Sequence, residues 1–225
     1  MKILIYGNNN EEVIKLVENA GFDVVTENPD MVASVGGDGT FMLSEKDFPE
    51  ISKFILKKSK TSKLGHDLSP EIILNKIIKD EYIVEDKIKI EAVSKGKKIV
   101  GLNEIIVHNV DPRRAIRYEI FINGKKVGGE IIGDGVVVST PYGSTGYYRS
   151  ITDSFFEIGI GVAFNNSTEQ SDHMVLKDDS EVIIKIIRGE AIVYADNNDE
   201  EIILNNGDEI LVKKYKNKAK IIKFI

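Results

Sequence analysis

Met31-Val32-Ala33-Ser34-Val35 runs without interruption into Gly36-Gly37-Asp38-Gly39-Thr40, and this junction decides how the first part of the chain is read. A short apolar run bounded by glycine predicts a buried strand. Upstream, Ile3-Leu4-Ile5-Tyr6 reads the same way and ends in the turn material Gly7-Asn8-Asn9-Asn10. Residues 11–20 place Val13, Ile14, Leu16, Val17 and Ala20 on one helical stripe. Glu11 and Glu12 sit in the first turn, where the helix dipole favours them, and Gly21 stands where a helix-terminating glycine is expected. Val24-Val25 adds a short second strand. Strand, helix and strand joined by short links predict a parallel α/β sheet. Ligands of such sheets collect beyond the carboxyl ends of the strands, which is where the glycine cluster falls.

Downstream the pattern changes. Residues 45–80 are lysine-rich and mixed, with a helix predicted from Pro70 through Ile78. The pattern changes from about Tyr82: Lys87-Ile88-Lys89-Ile90-Glu91-Ala92-Val93 alternates, and the chain turns at Ser94-Lys95-Gly96-Lys97. Tyr118-Glu119-Ile120-Phe121-Ile122 followed by Asn123-Gly124 predicts a hairpin, because a type I′ turn needs positive φ at both central residues. Further strands are expected at 136–139, 182–187, 191–194, 201–204 and 209–213, with another turn at Asn206-Gly207.

Composition narrows the function classes. The 225 residues are 42% apolar and 29% charged, enough to bury a core of ordinary globular type. A net charge of −6 argues against binding nucleic acid or anionic membrane through bulk charge. With no cysteine, disulfides, thiolate nucleophiles and thiolate metal sites are excluded together. His66, His108 and His173 are too widely spaced to predict a histidine metal site. No apolar run reaches the roughly 20 residues that span a bilayer, and the N-terminal apolar stretch is too short for a signal peptide, so a cytoplasmic location is expected.

Three segments carry candidate chemistry. In Gly36-Gly37-Asp38-Gly39-Thr40 the glycines let backbone approach a ligand, their amides can face phosphate oxygens, and Asp38 brings a carboxylate beside them. A tight strand-to-helix turn capped by the aspartate is the competing reading. The segment is neither a dinucleotide fingerprint nor a Walker loop, lacking the third glycine of the one and the glycine-lysine of the other. The second segment, Asp134-Gly135-Val136-Val137-Val138-Ser139-Thr140-Pro141-Tyr142-Gly143-Ser144-Thr145-Gly146-Tyr147, runs an apolar strand into a loop of small hydroxyls and glycines; Tyr147 offers a ring to a base. A solvated loop between strands is the plainer alternative. The third, Asn103-Glu104, sets an amide beside a carboxylate just before a strand. Arg113 and Arg114, after Asp111-Pro112, offer charge to a phosphate or simply face solvent.

In this order and spacing, the Gly-Gly-Asp-Gly-Thr turn, the Asn103-Glu104 pair and the block from Asp134 to Ser150 resemble the NAD kinase family. The first motif is shared with lipid kinases and phosphofructokinases; the long Ser-Thr-Pro block is far more specific. The resemblance implies a Rossmann-like α/β domain over residues 1–80 and a larger β-rich, sandwich-like domain over 81–209. The apolar tail 210–225 is expected to pack back onto the first domain. It implies phosphoryl transfer from ATP or polyphosphate to the adenosine ribose 2′-hydroxyl of NAD, with Mg²⁺ on the donor phosphates. Asp38 then matches the general base, Gly37, Gly39 and Thr40 the contacts to NAD, and Gly36 with Arg114 the donor phosphates. Asn103, Glu104, Asp134, Tyr142, Thr145, Gly146, Tyr147 and Ser150 match the remaining NAD positions, Thr145 toward adenine; Ala163 and Asn198 stand for the Pro-Ile-Ala and Asp-Gly-Gln segments of the family. A homodimer or homotetramer is implied, as is the convergence of the segments around Asp38 and Thr145 on one adenosine.

The chain departs from the family at Lys60-Thr61-Ser62-Lys63-Leu64-Gly65-His66, which keeps only Leu-Gly of the usual Asn-x-Gly-x-Leu-Gly-Phe. Gly146 replaces an alanine, and the glycine-proline-rich stretch after Ser150 is shortened. Two other readings stand beside the kinase: a nucleotide-binding sensor of the same fold without turnover, and a lipid or sugar kinase sharing only the first motif.

Overall fold

The structure is a computed structural model that describes residues 1–7, 11–57, 68–168 and 173–225. Asn8, Asn9 and Asn10, expected as a turn, and the divergent segment 60–66 lie outside the described residues. Two compact units are present: Met1–Lys87 with Lys218–Ile225, and Ile88–Asn217.

The first unit is built on one six-stranded sheet. β1 (Lys2–Gly7) leads through α1 (Glu11–Asn19) to β2 (Asp23–Val25), then β3 (Met31–Gly36), α2 (Asp38–Asp47), β4 (Ser52–Lys57), α3 (Pro70–Ile78) and β5 (Tyr82–Lys87). β1 lies between β2 and β3, and these strands with β4 run parallel. From β1 the chain therefore steps to one side to make β2 and returns past it to make β3. The carboxyl ends of β1 and β3 form the topological switch point, the place where open α/β sheets bind ligands. Ile3, Ile5, Ala33, Val35, Phe54 and Leu56 pack there against Val17 of α1 and against Ile73, Leu74 and Ile77 of α3.

Two features of this unit escape a pattern reading. β4 carries Lys53, fully buried, whose ammonium lies 2.6 Å from the buried Glu45 of α2 and donates to the carbonyls of Phe48 and Ile51. The last strand, β18 (Ala219–Phe224), lies between β4 and β5, parallel to the first and antiparallel to the second. β5 thus joins this sheet although it follows residue 80. Local pattern does not say which sheet a strand enters.

The second unit is a sandwich of two antiparallel six-stranded sheets. One is ordered β10 (Lys125–Gly133), β9 (Ile116–Ile122), β14 (Val182–Arg188), β17 (Glu209–Lys214), β6 (Ile90–Ser94) and β7 (Lys97–Gly101). The other runs β13 (His173–Leu176), β12 (Ile160–Asn165), β11 (Gly135–Ser139), β8 (Glu104–Asn109), β15 (Ala191–Ala195) and β16 (Glu201–Leu204). Residues 210–214, expected with the tail, pair in β17 with β14 and β6 instead. Ile105, Val107, Val136 and Val138 of the second sheet meet Ile90, Tyr118, Ile120 and Ile184 of the first in one core. On the outer face of the second sheet, Ile106, Val137 and Ala163 are covered by Tyr148 of α4 (Tyr147–Thr152). β11 is therefore buried on both faces, which is why Gly135-Val-Val-Val-Ser139 reads as a continuous apolar run without alternation.

Candidate functional site

In the first unit the glycine motif stands at the switch point itself. Thr40 packs its side chain back over the end of the sheet. A side-chain carbon added at Gly36 would meet Thr40 Oγ1 at 2.4 Å, and one added at Gly7, which has φ +98°, would meet Thr40 Cγ2 at 2.4 Å. Gly36 and Gly7 are thus required by Thr40, whereas a carbon added at Gly37 meets nothing within 4 Å. Gly37 is the N-cap of α2 and supplies no side-chain cap, so Asp38 occupies the first helical position and is not the cap. Its carboxylate lies in the favourable first turn of the helix, half-buried along with the rest of residues 36–40.

In the second unit the loop after β11 is fastened to the residues before β8. Thr140 donates its backbone N–H to Asn103 O at 2.8 Å and its hydroxyl to Leu102 O at 2.7 Å, and accepts from Gly143 N–H at 3.2 Å. A carbon added at Gly143 would lie 2.4 Å from Asn103 O, so the two backbones touch. Ser144 donates to Pro141 O and Phe156 O. The small hydroxyls of the Ser-Thr-Pro block are thereby largely spent on its own shape, while Thr145 and Gly146 remain exposed.

Asn103 and Glu104 project from this fastening. Asn103 Oδ1 and Glu104 Oε2 are buried and have no hydrogen-bond partner among the described residues. Orphaned polar atoms of this kind are uncommon, because an unmet buried group costs about 1–3 kcal/mol. A carbon added at Gly146 would lie 3.8 Å from Glu104 Oε2, which puts the orphan beside the exposed turn. The residue behind the pair is Asp196, in the left-handed conformation (φ +50°) just after β15. Its carboxylate accepts the backbone N–H groups of Leu102 (2.7 Å), Asn103 (2.8 Å) and Glu104 (3.0 Å). Burial, reinforced by the neighbouring Asp196 charge, pushes the Glu104 carboxyl up to about 8.

Asp134 lies at the other end of β11, five residues from Ser139 and hence roughly 17 Å along the strand. Its two oxygens accept from Asn109 Nδ2 (3.2 Å) and Asn166 Nδ2 (2.9 Å). Asn109 Nδ2 also donates to the carbonyl of Arg114. The Arg114 side chain is exposed, 3.7 Å from Asp111, and lines an open cavity with Ala115, Arg188 and Gly189. Tyr147 connects the two ends: its hydroxyl accepts from Asn165 Nδ2 at 3.0 Å, and Asn165 pairs with Gly135 next to Asp134. Ala163 is completely buried in the cluster under Tyr148. The Ser150 hydroxyl is turned onto Tyr147 O, and Asn198 closes the turn after β15 through its N–H to Ala195 O. Tyr142 is half-buried within the Ser-Thr-Pro loop.

The structure therefore gathers Asn103, Glu104 and the 140–147 loop in one place, and sets Asp134 and Arg114 apart from them. Asp196 is the functional candidate that sequence reasoning passed over. It lies two residues before Asn198, but nothing nearby in the sequence ties it to amides more than ninety positions earlier. Among the described residues no group of three or more acidic or histidine side chains is disposed to hold a metal ion. Among the described residues, likewise, no helix is long and apolar enough to cross a membrane.

Comparisons with known proteins bear on these features. Residues 102–224 match the family described as the ATP-NAD kinase C-terminal domain. The chain is 32% identical to an NAD kinase of Carboxydothermus hydrogenoformans, over 92% of this chain and 79% of that one. It is 29% identical to an NAD kinase of Sulfurisphaera tokodaii, over 100% of this chain and 96% of the relative. The crystal structure of an NAD kinase from Archaeoglobus fulgidus in complex with ATP has the same fold, with a TM-score of 0.83 and 21% identity, over 100% of this chain and 94% of that one.

Proposed function

The chain belongs to the NAD kinase family, and on that premise we propose that it transfers a phosphoryl group from ATP to the 2′-hydroxyl of the adenosine ribose of NAD, forming NADP. The observation that carries this reading furthest is the pair of buried, unpartnered polar atoms, Asn103 Oδ1 and Glu104 Oε2, beside the exposed turn at Thr145-Gly146. Such atoms suit a ligand that satisfies them, and a nucleotide offers hydroxyls, ring nitrogens and an amine.

In this reading Asn103, Glu104, Tyr142, Thr145, Gly146 and Tyr147 hold the nucleotide, with Asp134, Ser150, Ala163 and Asn198 as further NAD positions. Gly37, Gly39 and Thr40 approach the NAD ribose and phosphate, and Gly36 with Arg114 the donor phosphates. The open space at Gly37 leaves backbone free to be approached, whereas Gly36 is already filled by Thr40. Asp38 serves as general base, accepting the proton of the 2′-hydroxyl as its oxygen attacks the terminal phosphorus of ATP and the bond to the leaving ADP oxygen breaks. An ordinary carboxylate is weak in that role unless held within hydrogen-bond reach, so alignment supplies most of the effect. With no cluster of three acidic or histidine side chains among the described residues, a Mg²⁺ ion would be carried mainly by the donor phosphates and water. Bound there, the ion would neutralise charge developing on the phosphates. Cytoplasmic location and a homodimer or homotetramer belong to the same proposal.

The test is direct. Protein, NAD, ATP and Mg²⁺ are incubated and NADP is read with an NADP-specific dehydrogenase, with polyphosphate and NADH in parallel arms. NADP formed with ATP supports the proposal; NADP formed only with polyphosphate moves the donor. Failure with both donors overturns it, and NAD binding without turnover would identify a sensor.

A further inference from the structure

Two buried carboxyl groups stand side by side at the Asn103-Glu104 segment, and their surroundings are opposite. Asp196 accepts three backbone N–H groups at 2.7, 2.8 and 3.0 Å. The Lys89 ammonium, itself buried, also acts on it. Glu104 Oε2, by contrast, is buried without a hydrogen-bond partner among the described residues. Burial raises the Asp196 carboxyl above its ordinary range, and the three amides and Lys89 oppose that rise without cancelling it, whereas no such donor among the described residues reaches Glu104 Oε2. Two neighbouring carboxylates in a dry place cannot both stay charged, and the proton goes to the one with fewer donors.

We infer that Asp196 is a positioning residue for nucleotide recognition: its carboxylate fixes the backbone of residues 102–104 and, as an anion, makes Glu104 a hydrogen-bond donor toward the bound nucleotide. The inference rests on the function proposed above. A neutral Glu104 offers its O–H to an atom carrying a lone pair, a ring nitrogen or a hydroxyl oxygen, while Asn103 Oδ1 accepts beside it. The titratable groups that act on Glu104 or feel it are Asp196, on which Lys89 acts in turn, and Tyr194 of β15, which also feels Tyr147 of α4. Tyr194 is pushed above its ordinary range by burial first, then by Tyr147 and Glu104.

The sign follows. Glu104 holds its proton below about 8 and loses it above. If only the neutral form binds, the apparent Kd rises as the competent fraction falls, so NAD should bind about tenfold more weakly at pH 9 than at pH 7. The measurement is calorimetric titration of the full chain with NAD alone across pH 6–9.5, for the wild type, Glu104→Gln and Asp196→Asn. Glu104→Gln cannot ionise, and its affinity is expected to be flat between pH 7 and 9. Asp196→Asn removes the anion, and the midpoint of its pH profile is expected to move down by about one unit or more. A merely structural Asp196 would weaken binding equally at every pH and leave the midpoint in place. Wild-type affinity that is flat or rises with pH overturns the inference alone, as does a Glu104→Gln profile with the wild-type slope. No NAD binding at any pH overturns the functional reading together with it. If Asp196→Asn does not fold, the contrast between wild type and Glu104→Gln still decides the protonation claim.

Discussion

Thr40 folds over two glycines and leaves a third open, and these neighbours should answer substitution differently. Gly36→Ala forces a carbon to within 2.4 Å of Thr40 Oγ1 and 2.9 Å of its Cβ. Overpacking of this kind costs about 1–3 kcal/mol, and a calorimetric scan should show Tm lower by roughly 2–12 °C for a chain of this size. Gly37→Ala meets no atom within 4 Å and should change stability by less than about 1 kcal/mol. At the next position, Asp38→Asn is expected to lower turnover by at least about a hundredfold while the Kd for NAD stays within a few-fold. Unchanged turnover in a steady-state assay would leave Asp38 as a helix-start residue. The sequence made the Gly-Gly-Asp-Gly-Thr segment visible and left an aspartate cap as the competing reading; Gly37 takes the cap position, with no side-chain bond. Asp196 was illegible for a different reason, since its partners are set by strand pairing and not by anything local.

At the scale of elements, legibility followed the strength of the local signal. The helix over Pro70–Ile78 was readable because Ser69 caps it, proline suits its first turn and its apolar residues repeat on one face. β4 was hidden inside a lysine-rich stretch, because Lys53 looked like a solvated residue and is instead buried against Glu45. That pair gives a two-sided expectation. Lys53→Met strands a buried carboxyl and should lower the free energy of unfolding by about 3–5 kcal/mol in urea titrations. Adding Glu45→Leu to it should recover most of the loss, because the uncompensated charge is gone. A double variant no more stable than the single one would mean the pair holds α2 to β4 by geometry rather than by charge. β12 was absent from the strand assignments made from pattern. It is nearly buried throughout, as a strand covered on two faces by a core and by α4 is, so it shows no period of two.

For the whole molecule, the mixed class with its sheet-rich C-terminal part was readable, while the membership of individual strands in sheets was not. β5 and β6 follow each other within a few residues and belong to different units. The dependence of the first sheet on its last strand can be tested by ending the chain at Asn217. Without β18, β4 becomes an edge and β5 loses its partner. Hydrogen exchange should then show lost protection across β1, β3 and β4, with the sandwich strands β8, β11 and β15 protected as before. Equal loss in both units would mean that they unfold as one.

That strand has a consequence for biosynthesis. A ribosome delivers β1 to β4 early, but the partner that lies beside β4 emerges only after all twelve sandwich strands have been made. A half-finished parallel sheet with an exposed hydrogen-bonding edge must therefore wait through most of translation. The nascent chain is most open to mispairing and chaperone capture in that interval, and the pace of elongation through codons 88–217 sets how long it lasts.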